Sequence, residues 1–441
     1  MIAFRPKWWE AVRGYDRQRC QHDLFAGVSV GIVALPLAIG LGIASGVSPG
    51  AGLYTAIIGG FLISALGGSR VQIGGPAGAF VGLVYAIVQE HGLSGLMVCT
   101  VMAGAMLFLL GAARLGSLIK FIPHPVTTGF TCGIAITIML SQVGDFLGLA
   151  VKAPPAEFFA RVAALGRALP TVGGATVTVG LAALLVILFW PARWARVVPG
   201  TLVAVVAGTA AVQLWHLPVE TIGSRFGADA IPRGLPEFQP PAFDLHRIGE
   251  LIRPALAITL LGAIESLLSA VVADAMIDDR HDSNQELMAQ GVANVVVPFF
   301  GGIPVTGVIA RTATNVRHGA ATPVAGMVHA GVLLAVVLAA APAAKFIPLT
   351  VLAAVLLAVA AKMGDWTEFR LLHRHSRSDA AVFLVTFVLT VVFDLTIAVE
   401  VGMVLAAGLF IKRVTDTTRV TALDEAGAAG QGHEPLPALP P

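Results

Sequence analysis

Two short stretches, Gly74-Gly75-Pro76-Ala77-Gly78-Ala79-Phe80 and Gly301-Gly302-Ile303-Pro304-Val305-Thr306-Gly307, decide how this chain is read. Each interrupts a mostly apolar run with glycine and proline, the residues that break a regular helix. A bilayer core holds no water, so broken backbone is tolerated there only where it is buried in protein or lines a cavity. Each stretch opens the third hydrophobic position of its own half of the sequence. Broken runs in corresponding places of two halves point to a substrate site near the midplane of a secondary transporter.

Composition supports the membrane setting. The 441 residues are 56% hydrophobic and 12% charged, about half the charge of a soluble domain. Apolar runs of roughly twenty residues recur from Leu24 to Ile411, which makes the fold class all-α and polytopic. Fourteen segments are expected: 24–45, 52–66, 76–88, 93–112, 125–143, 172–190, 197–214, 251–273, 285–300, 305–316, 322–341, 348–361, 379–393 and 395–411. The third, tenth and twelfth, among others, fall short of the ~20 residues that span a bilayer. Cys20, Cys99 and Cys132 are scattered and suggest neither a metal site nor a disulfide framework. Residues 1–23 are polar, with Trp8 and Trp9 as interfacial anchors, and do not read as a cleavable signal. The chain carries no phosphate-binding Gly-x-x-x-x-Gly-Lys-Ser/Thr loop, so nothing suggests ATP hydrolysis.

Charge placement sets the topology. With the N-terminus inside, inner loops contain Arg70, Arg114 with Lys120, Arg193 with Arg196, Arg317, and the cluster Lys362, Arg370, Arg374 and Arg377. The positive-inside rule then puts both termini in the cytoplasm. The connection between segments five and six fits less well, because Lys152, Arg161 and Arg167 fall outside. Seven segments per half is an odd number, so the second half is inverted relative to the first. The expected organisation is an N-terminal segment (1–23), a first repeat (24–249) with a long outer loop (215–250), a second repeat (250–413) and a disordered tail (414–441). Pairs such as Gly27/Gly31, Gly42/Gly46 and Gly129/Gly133 fit close helix packing.

Few residues can carry chemistry. Glu265 lies in the apolar span Ala255–Ala273, where an ionisable group costs at least ~2.5 kcal/mol and marks an ion or proton path. Ser269 lies one turn on, on the same helix face. Arg311 is the second intramembrane charge, about one and a half turns into the run that follows Pro304. Beside a helix N-terminus it makes a doubly positive site for an anion; its bland alternative is a snorkelling Arg at the inner end. Ala77, Gly78, Val308 and Ala310 are small or compact, so backbone can approach a ligand there. Asp278-Asp279-Arg280-His281-Asp282 matches an Asp-Asp-x-x-Asp pattern that holds Mg²⁺ on prenyl diphosphates, but a second Asp-rich motif does not appear. The run therefore reads as a solvated loop and helix start. His124, His318, His329, His373 and His375 lack ligand spacing and read as loop or interface residues.

These residues resemble the SulP family of anion transporters. The likeness is carried by Asp23-Leu24-x-Ala26-Gly27, Ala34-Leu35-Pro36, Gly52-Leu53-Tyr54, Gly68-Ser69-Arg70, Gly75-Pro76 and Gly129-Phe130-Thr131-x-Gly133. Gly262-Ala263-Ile264-Glu265-Ser266-Leu267-Leu268 and Ile309-Ala310-Arg311-Thr312-Ala313-Thr314-Asn315 complete it, over about residues 15 to 415. Within the family the chain is similar to the bacterial branch containing the C4-dicarboxylate transporter of enteric bacteria. The resemblance implies a 7+7 inverted repeat, with segments 1–4 and 8–11 as a core domain and 5–7 and 12–14 as a gate. It places a small anion (C4-dicarboxylate, sulfate or bicarbonate) between the N-termini of segments three and ten. Position by position it implies Leu37 and Leu41 from segment one, Pro76, Ala77 and Gly78 from segment three, and Val308, Ile309, Ala310 and Arg311 from segment ten. Glu265 and Ser269 fall where sodium-coupled relatives hold their cation; a Glu there is implied to couple to protons, with sodium as the alternative.

The expectation is an anion symporter of the bacterial inner membrane, with no cofactor, resident metal or nucleic-acid partner, and with homodimerisation left open. The rival readings are a nucleobase transporter of the same fold and an intramembrane Mg²⁺-dependent transferase. Segment ten offers Arg311 and no carboxylate to hold a base, which favours the anion. Family members usually carry a cytoplasmic STAS domain of about a hundred residues or more; here about thirty residues follow Ile411, and the STAS domain is expected to be absent.

Overall fold

The computed structural model describes residues 4–393, except 12, 118–123, 152–153, 196–197, 228, 232–233, 241–247 and 373–376, together with 401, 404 and 408. Segment fourteen (395–411) apart from 401, 404 and 408, the tail 414–441, His373, His375, Lys120, Lys152, Arg196 and Arg374 lie outside the described residues. The other thirteen expected segments are helical. Segment one, Arg17–Ala44, starts earlier than expected because Asp16 caps it, accepting from the Arg19 N–H at 2.7 Å. Asp23 is therefore buried inside a helix. It accepts from the Ala321 and Thr322 N–H groups at 2.8 and 3.0 Å and so caps the start of segment eleven, Val324–Ala344.

Segment two, Pro49–Leu66, contains a π-helical turn at Thr55–Gly59. Segments three and four form one run, Gly78–Ala112, broken at Gly92, whose φ of 70° favours glycine. Segments five, six and seven are His124–Leu147, Gly174–Phe189 and Gly200–Leu214. Segment eight is Ile248–Ile277 and segment nine Ser283–Val296. Segment ten, Ile309–Arg317, has 9 residues, about 14 Å, or half the ~30 Å of a hydrocarbon core. Segments twelve and thirteen are Leu349–Met363 and Arg377–Val392.

Packing partners obey the inverted repeat. Segment one packs on eleven, and its counterpart eight packs on four. Segment four packs on nine, and eleven packs on two. Segment five packs on thirteen, and twelve packs on six. Every pair maps onto another when each segment is replaced by the one seven places away, as a pseudo-twofold axis requires. Small residues make the contacts close. A Cβ on Gly27 would meet the Ala325 carbonyl, one on Gly129 the Phe383 carbonyl, and one on Gly104 the Val295 N. Gly46 instead makes a turn, with φ 75°. Segments 1–4 and 8–11 form one packed group and 5–7, 12 and 13 another, joined mainly where segment one meets twelve.

At the centre, two-residue strands β1 (Gly74–Gly75) and β2 (Thr306–Gly307) pair antiparallel, Gly74 with Gly307 and Gly75 with Thr306. The connection between segments five and six carries the amphipathic helix Phe158–Ala168. Its Arg161 is buried, stacks 4.8 Å over the Tyr85 ring and donates from Nε to the Pro155 carbonyl at 2.8 Å. That engagement explains one of the basic residues that fit the charge rule poorly. The loop after segment seven is tied to the start of segment twelve by the Ile222 N–H donating to the Ile347 carbonyl at 3.0 Å.

Candidate anion site

Antiparallel strands run in opposite directions, so the helices that follow β1 and β2 leave the pair in opposite senses, N-terminus facing N-terminus. Segment three begins at Gly78 after Ala77, and segment ten at Ile309 after Val308; both preceding residues are extended. Neither start has a side-chain cap. The first N–H groups of each helix are therefore free to bind an anion. Segment ten begins later than expected because Pro304–Val308 is extended, which puts Arg311 in its first turn.

The extended backbone before each half-helix is satisfied by buried polar side chains, as a bilayer interior demands. Thr312 Oγ1 accepts from the Ile73 N–H at 3.0 Å, and Asn315 Nδ2 donates to the Val71 carbonyl at 2.9 Å. Asn294 brackets Val305, donating to its carbonyl at 2.7 Å and accepting from its N–H at 3.0 Å. Thr55 Oγ1, in the π turn, accepts from the Ile303 N–H at 2.8 Å. The sequence reading missed these residues, and it missed Glu286, which is buried in segment nine and accepts from the Gly68 N–H at 2.9 Å and Gln290 Nε2 at 2.8 Å. The signal was present: Glu286, Gln290 and Asn294 recur every fourth residue, a polar stripe on one helix face.

Glu265 makes no hydrogen bond or ion pair among the described residues, and it is half-buried. It shares a face of segment eight with Gly262, whose carbonyl accepts from Thr306 Oγ1 at 3.0 Å, and with Ser269, whose Oγ donates to Thr312 Oγ1 at 3.1 Å. Both contacts are to β2 and segment ten, so Glu265 sits beside the start of that half-helix.

Arg311 is 2% exposed, and none of its three guanidinium nitrogens has a hydrogen-bond partner among the described residues. It does not snorkel; Arg317, exposed at the other end of segment ten, is the residue at the surface. Its guanidinium is tucked against β1 rather than standing beside exposed Ala310. His329, expected at a loop or interface, is instead fully buried in segment eleven with both ring nitrogens unpartnered among the described residues. A lone His in an apolar helix leaves no pattern by which sequence alone separates the two placements.

Leu37, Leu41 and Ala77 belong to one buried apolar cluster, with Val308 and Met363 packed against it. Pro76 is buried, Gly78 and Ile309 are half-buried. A Cβ on Gly78 would lie 2.7 Å from Ile138 Cδ1 in segment five. Gly78 and Gly82 border a cavity of about 580 Å³ whose opposite wall includes Ile134, Thr137 and Ile138. The cavity thus meets the start of segment three; Glu90, Glu157 and Arg161 also line it, and no residue of segment ten does among the described residues.

The Asp-rich run is more engaged than a solvated loop. Asp279 pairs with Arg70 at 3.1 Å and Lys7 at 3.8 Å, and Asp282 caps segment nine by accepting from the Asn284 and Gln285 N–H groups. His281 bridges Asp274 Oδ2 at 2.7 Å and Ser283 Oγ at 2.9 Å. That chain has the order of a carboxylate–imidazole–hydroxyl relay. The N–H groups that would stabilise an oxyanion beside Ser283 are already taken by Asp282.

The sequence pattern of the Sulfate permease family matches residues 20–386. The chain belongs to that family. As a member of the sulfate permease family it is a multi-pass membrane transporter of anions and not an enzyme. It is 44% identical over 409 residues to YvdB of Bacillus subtilis, a protein named as a sulfate transporter, covering 92% of this chain and 77% of that one. It is 32% identical over 403 residues to the bicarbonate transporter BicA of Picosynechococcus, covering 89% of this chain and 70% of that one. The solved transmembrane domain of a cyanobacterial BicA superposes with a TM-score of 0.77 at 30% identity, covering 89% of this chain and 99% of that one.

Proposed function

We propose that this chain carries a small oxyanion, of the size of sulfate or bicarbonate, across the bacterial inner membrane together with a proton. One observation supports the anion above the rest: the buried Arg311 guanidinium, unpartnered among the described residues, stands in the first turn of a half-helix that faces a second half-helix head to head. A buried charge without a partner is strongly destabilising, and an anion held between the two half-helices supplies one. The names of the relatives, sulfate and bicarbonate transporters, agree with that size. The described residues around the half-helices offer one guanidinium, which favours a single compact anion over a C4-dicarboxylate with two separated charges.

Leu37, Leu41, Pro76, Ala77 and Gly78 form one side of the proposed site, and Val308, Ile309, Ala310 and Arg311 the other. Glu265, open on one side and next to the half-helix, is the proposed proton carrier, with Ser269 beside it; a sodium ion held by the same pair is the second reading. Transport proceeds by the group of segments 1–4 and 8–11 moving against the group of 5–7 and 12–14, with both termini in the cytoplasm. The test is uptake into proteoliposomes of labelled sulfate, bicarbonate and succinate, with and without imposed proton and sodium gradients. Accumulation of sulfate or bicarbonate driven by an acidic outside supports the proposal. Transport of succinate alone, or accumulation that needs sodium, replaces its substrate or its coupling ion.

A further inference from the structure

Two buried polar groups lie near the β1 strand. A Cβ on Gly75 would be 2.0 Å from Arg311 Nη1. A Cβ on Gly60, in segment two, would be 3.0 Å from the Gly74 carbonyl and 3.6 Å from His329 Cε1. Arg311 therefore lies against Gly75, and His329 lies against Gly60, the residue that faces the Gly74 carbonyl. Both are buried, and among the described residues neither has a hydrogen-bond partner on any side-chain nitrogen.

Other charges are remote from the pair or engaged. Segment eleven packs against segments one and two and, at its start, near the end of segment ten. Segment one brings His22 near Gly319, and its Asp23 is held by Ala321, Thr322 and Tyr15. Segment two carries Tyr54 near its start, and Arg317 of segment ten is exposed. Glu265 stands with Gly262 and Ser269 on the face of segment eight that meets Thr306 and Thr312, a different face of segment ten from that of Arg311.

We infer that His329 takes up a proton when an anion binds at Arg311, so that anion affinity and the protonation of His329 are linked. This rests on the anion reading given above. Two cations close together in a low-dielectric interior repel, and an anion that neutralises the first makes room for the second. By linkage, a group that gains a proton on anion binding makes the anion bind more tightly as pH falls. His329 is thereby a positioning residue that ties the charge state of the cargo site to pH, and Glu265 remains available for the driving ion.

The experiment measures sulfate binding to the purified full chain by calorimetry in two buffers of different ionisation enthalpy, between about pH 5.5 and 8, the range in which imidazole titrates. Sulfate keeps its charge across that range, so a proton taken up belongs to the protein. The wild-type protein is expected to take up protons with sulfate, with affinity rising up to about tenfold per pH unit of acidification. In H329N and H329Q the proton uptake that accompanies sulfate is expected to fall below that of the wild type, and the pH profile of affinity to flatten. Proton uptake in H329N and H329Q equal to that of the wild type overturns the inference. An infrared difference spectrum of the wild-type protein with and without sulfate gives the same answer without a variant: a new imidazolium band supports it, and the absence of one overturns it. Sulfate binding without proton uptake overturns this inference alone. Failure of sulfate and bicarbonate to bind at all overturns the anion reading as well.

Discussion

Arg311 Nη1 occupies the space where a side chain on Gly75 would begin: a Cβ placed there would lie 2.0 Å from it. The two residues come from opposite halves of the chain and meet because β1 and β2 pair. Gly75→Ala is therefore expected to push the guanidinium away from the strand without removing any charge. A charge-assisted hydrogen bond is worth roughly 1.5–3 kcal/mol, so sulfate affinity should fall about ten- to a hundred-fold. Arg311→Ala should lose as much. Titration of both purified variants against wild type checks this, and unchanged affinity in Arg311→Ala removes that residue from the site.

Ala310 is exposed and Ala77 is buried in the apolar cluster that also holds Leu37 and Leu41. Ala310→Leu should fold normally, because its side chain points into open space, and should block transport if backbone amides hold the anion. Ala77→Leu should block transport too, and it should also cost about 1–3 kcal/mol through overpacking. Thermal unfolding separates the two effects. Normal uptake by Ala310→Leu would move the ligand away from the start of segment ten.

Two aspartates differ in what they hold. Asp279→Asn removes ion pairs to Arg70, which is half-exposed, and to Lys7; exposed pairs contribute about 0–1 kcal/mol. Transport and stability should stay near wild type. Asp23→Ala leaves two buried N–H groups at the start of segment eleven without acceptors. Each such group costs about 1–3 kcal/mol, so the purified variant should melt clearly below wild type. Loss of transport in well-expressed Asp279→Asn would reopen the metal reading of the Asp-rich loop.

Much of the fold was legible because it is written in long apolar runs and in glycines at broken positions. Thirteen expected segments are helices, and the two Gly/Pro stretches lead into half-helices. Of the residues expected at the site, Leu37, Leu41 and Ala77 gather in one apolar cluster with Val308 packed against it, and Arg311 stands at a helix start. What escaped were partners fixed by tertiary contact. Asn294 and Thr312 close backbone bonds of residues in other elements, and local sequence does not say whose carbonyl or amide will be left open. His329 was misplaced for the same reason: its position depends on the segments that pack around it. Helix boundaries next to proline also shifted, since the residues around Pro304 prefer extended backbone and delay segment ten.

Glu265→Gln should uncouple transport from its driving ion. Glutamine keeps the shape of the side chain and can donate and accept hydrogen bonds, but it cannot exchange a proton or pair with a cation. Glu265 makes no hydrogen bond or ion pair among the described residues, so the substitution breaks none of those and should leave the melting temperature near wild type. Anion exchange down a gradient should survive, because the half-helices and Arg311 are untouched. Accumulation should not. In wild-type proteoliposomes an acidic outside, with sodium absent, should drive the anion inward, since the proton and the anion enter together; making the inside acidic should reverse the flow. The variant should equilibrate its substrate and respond to neither gradient. Sodium-dependent uptake indifferent to pH in the wild type would assign Glu265 and Ser269 to a cation site instead. If Glu265→Gln concentrates the anion as well as wild type under the same proton gradient, the carboxyl is structural and the driving proton travels elsewhere.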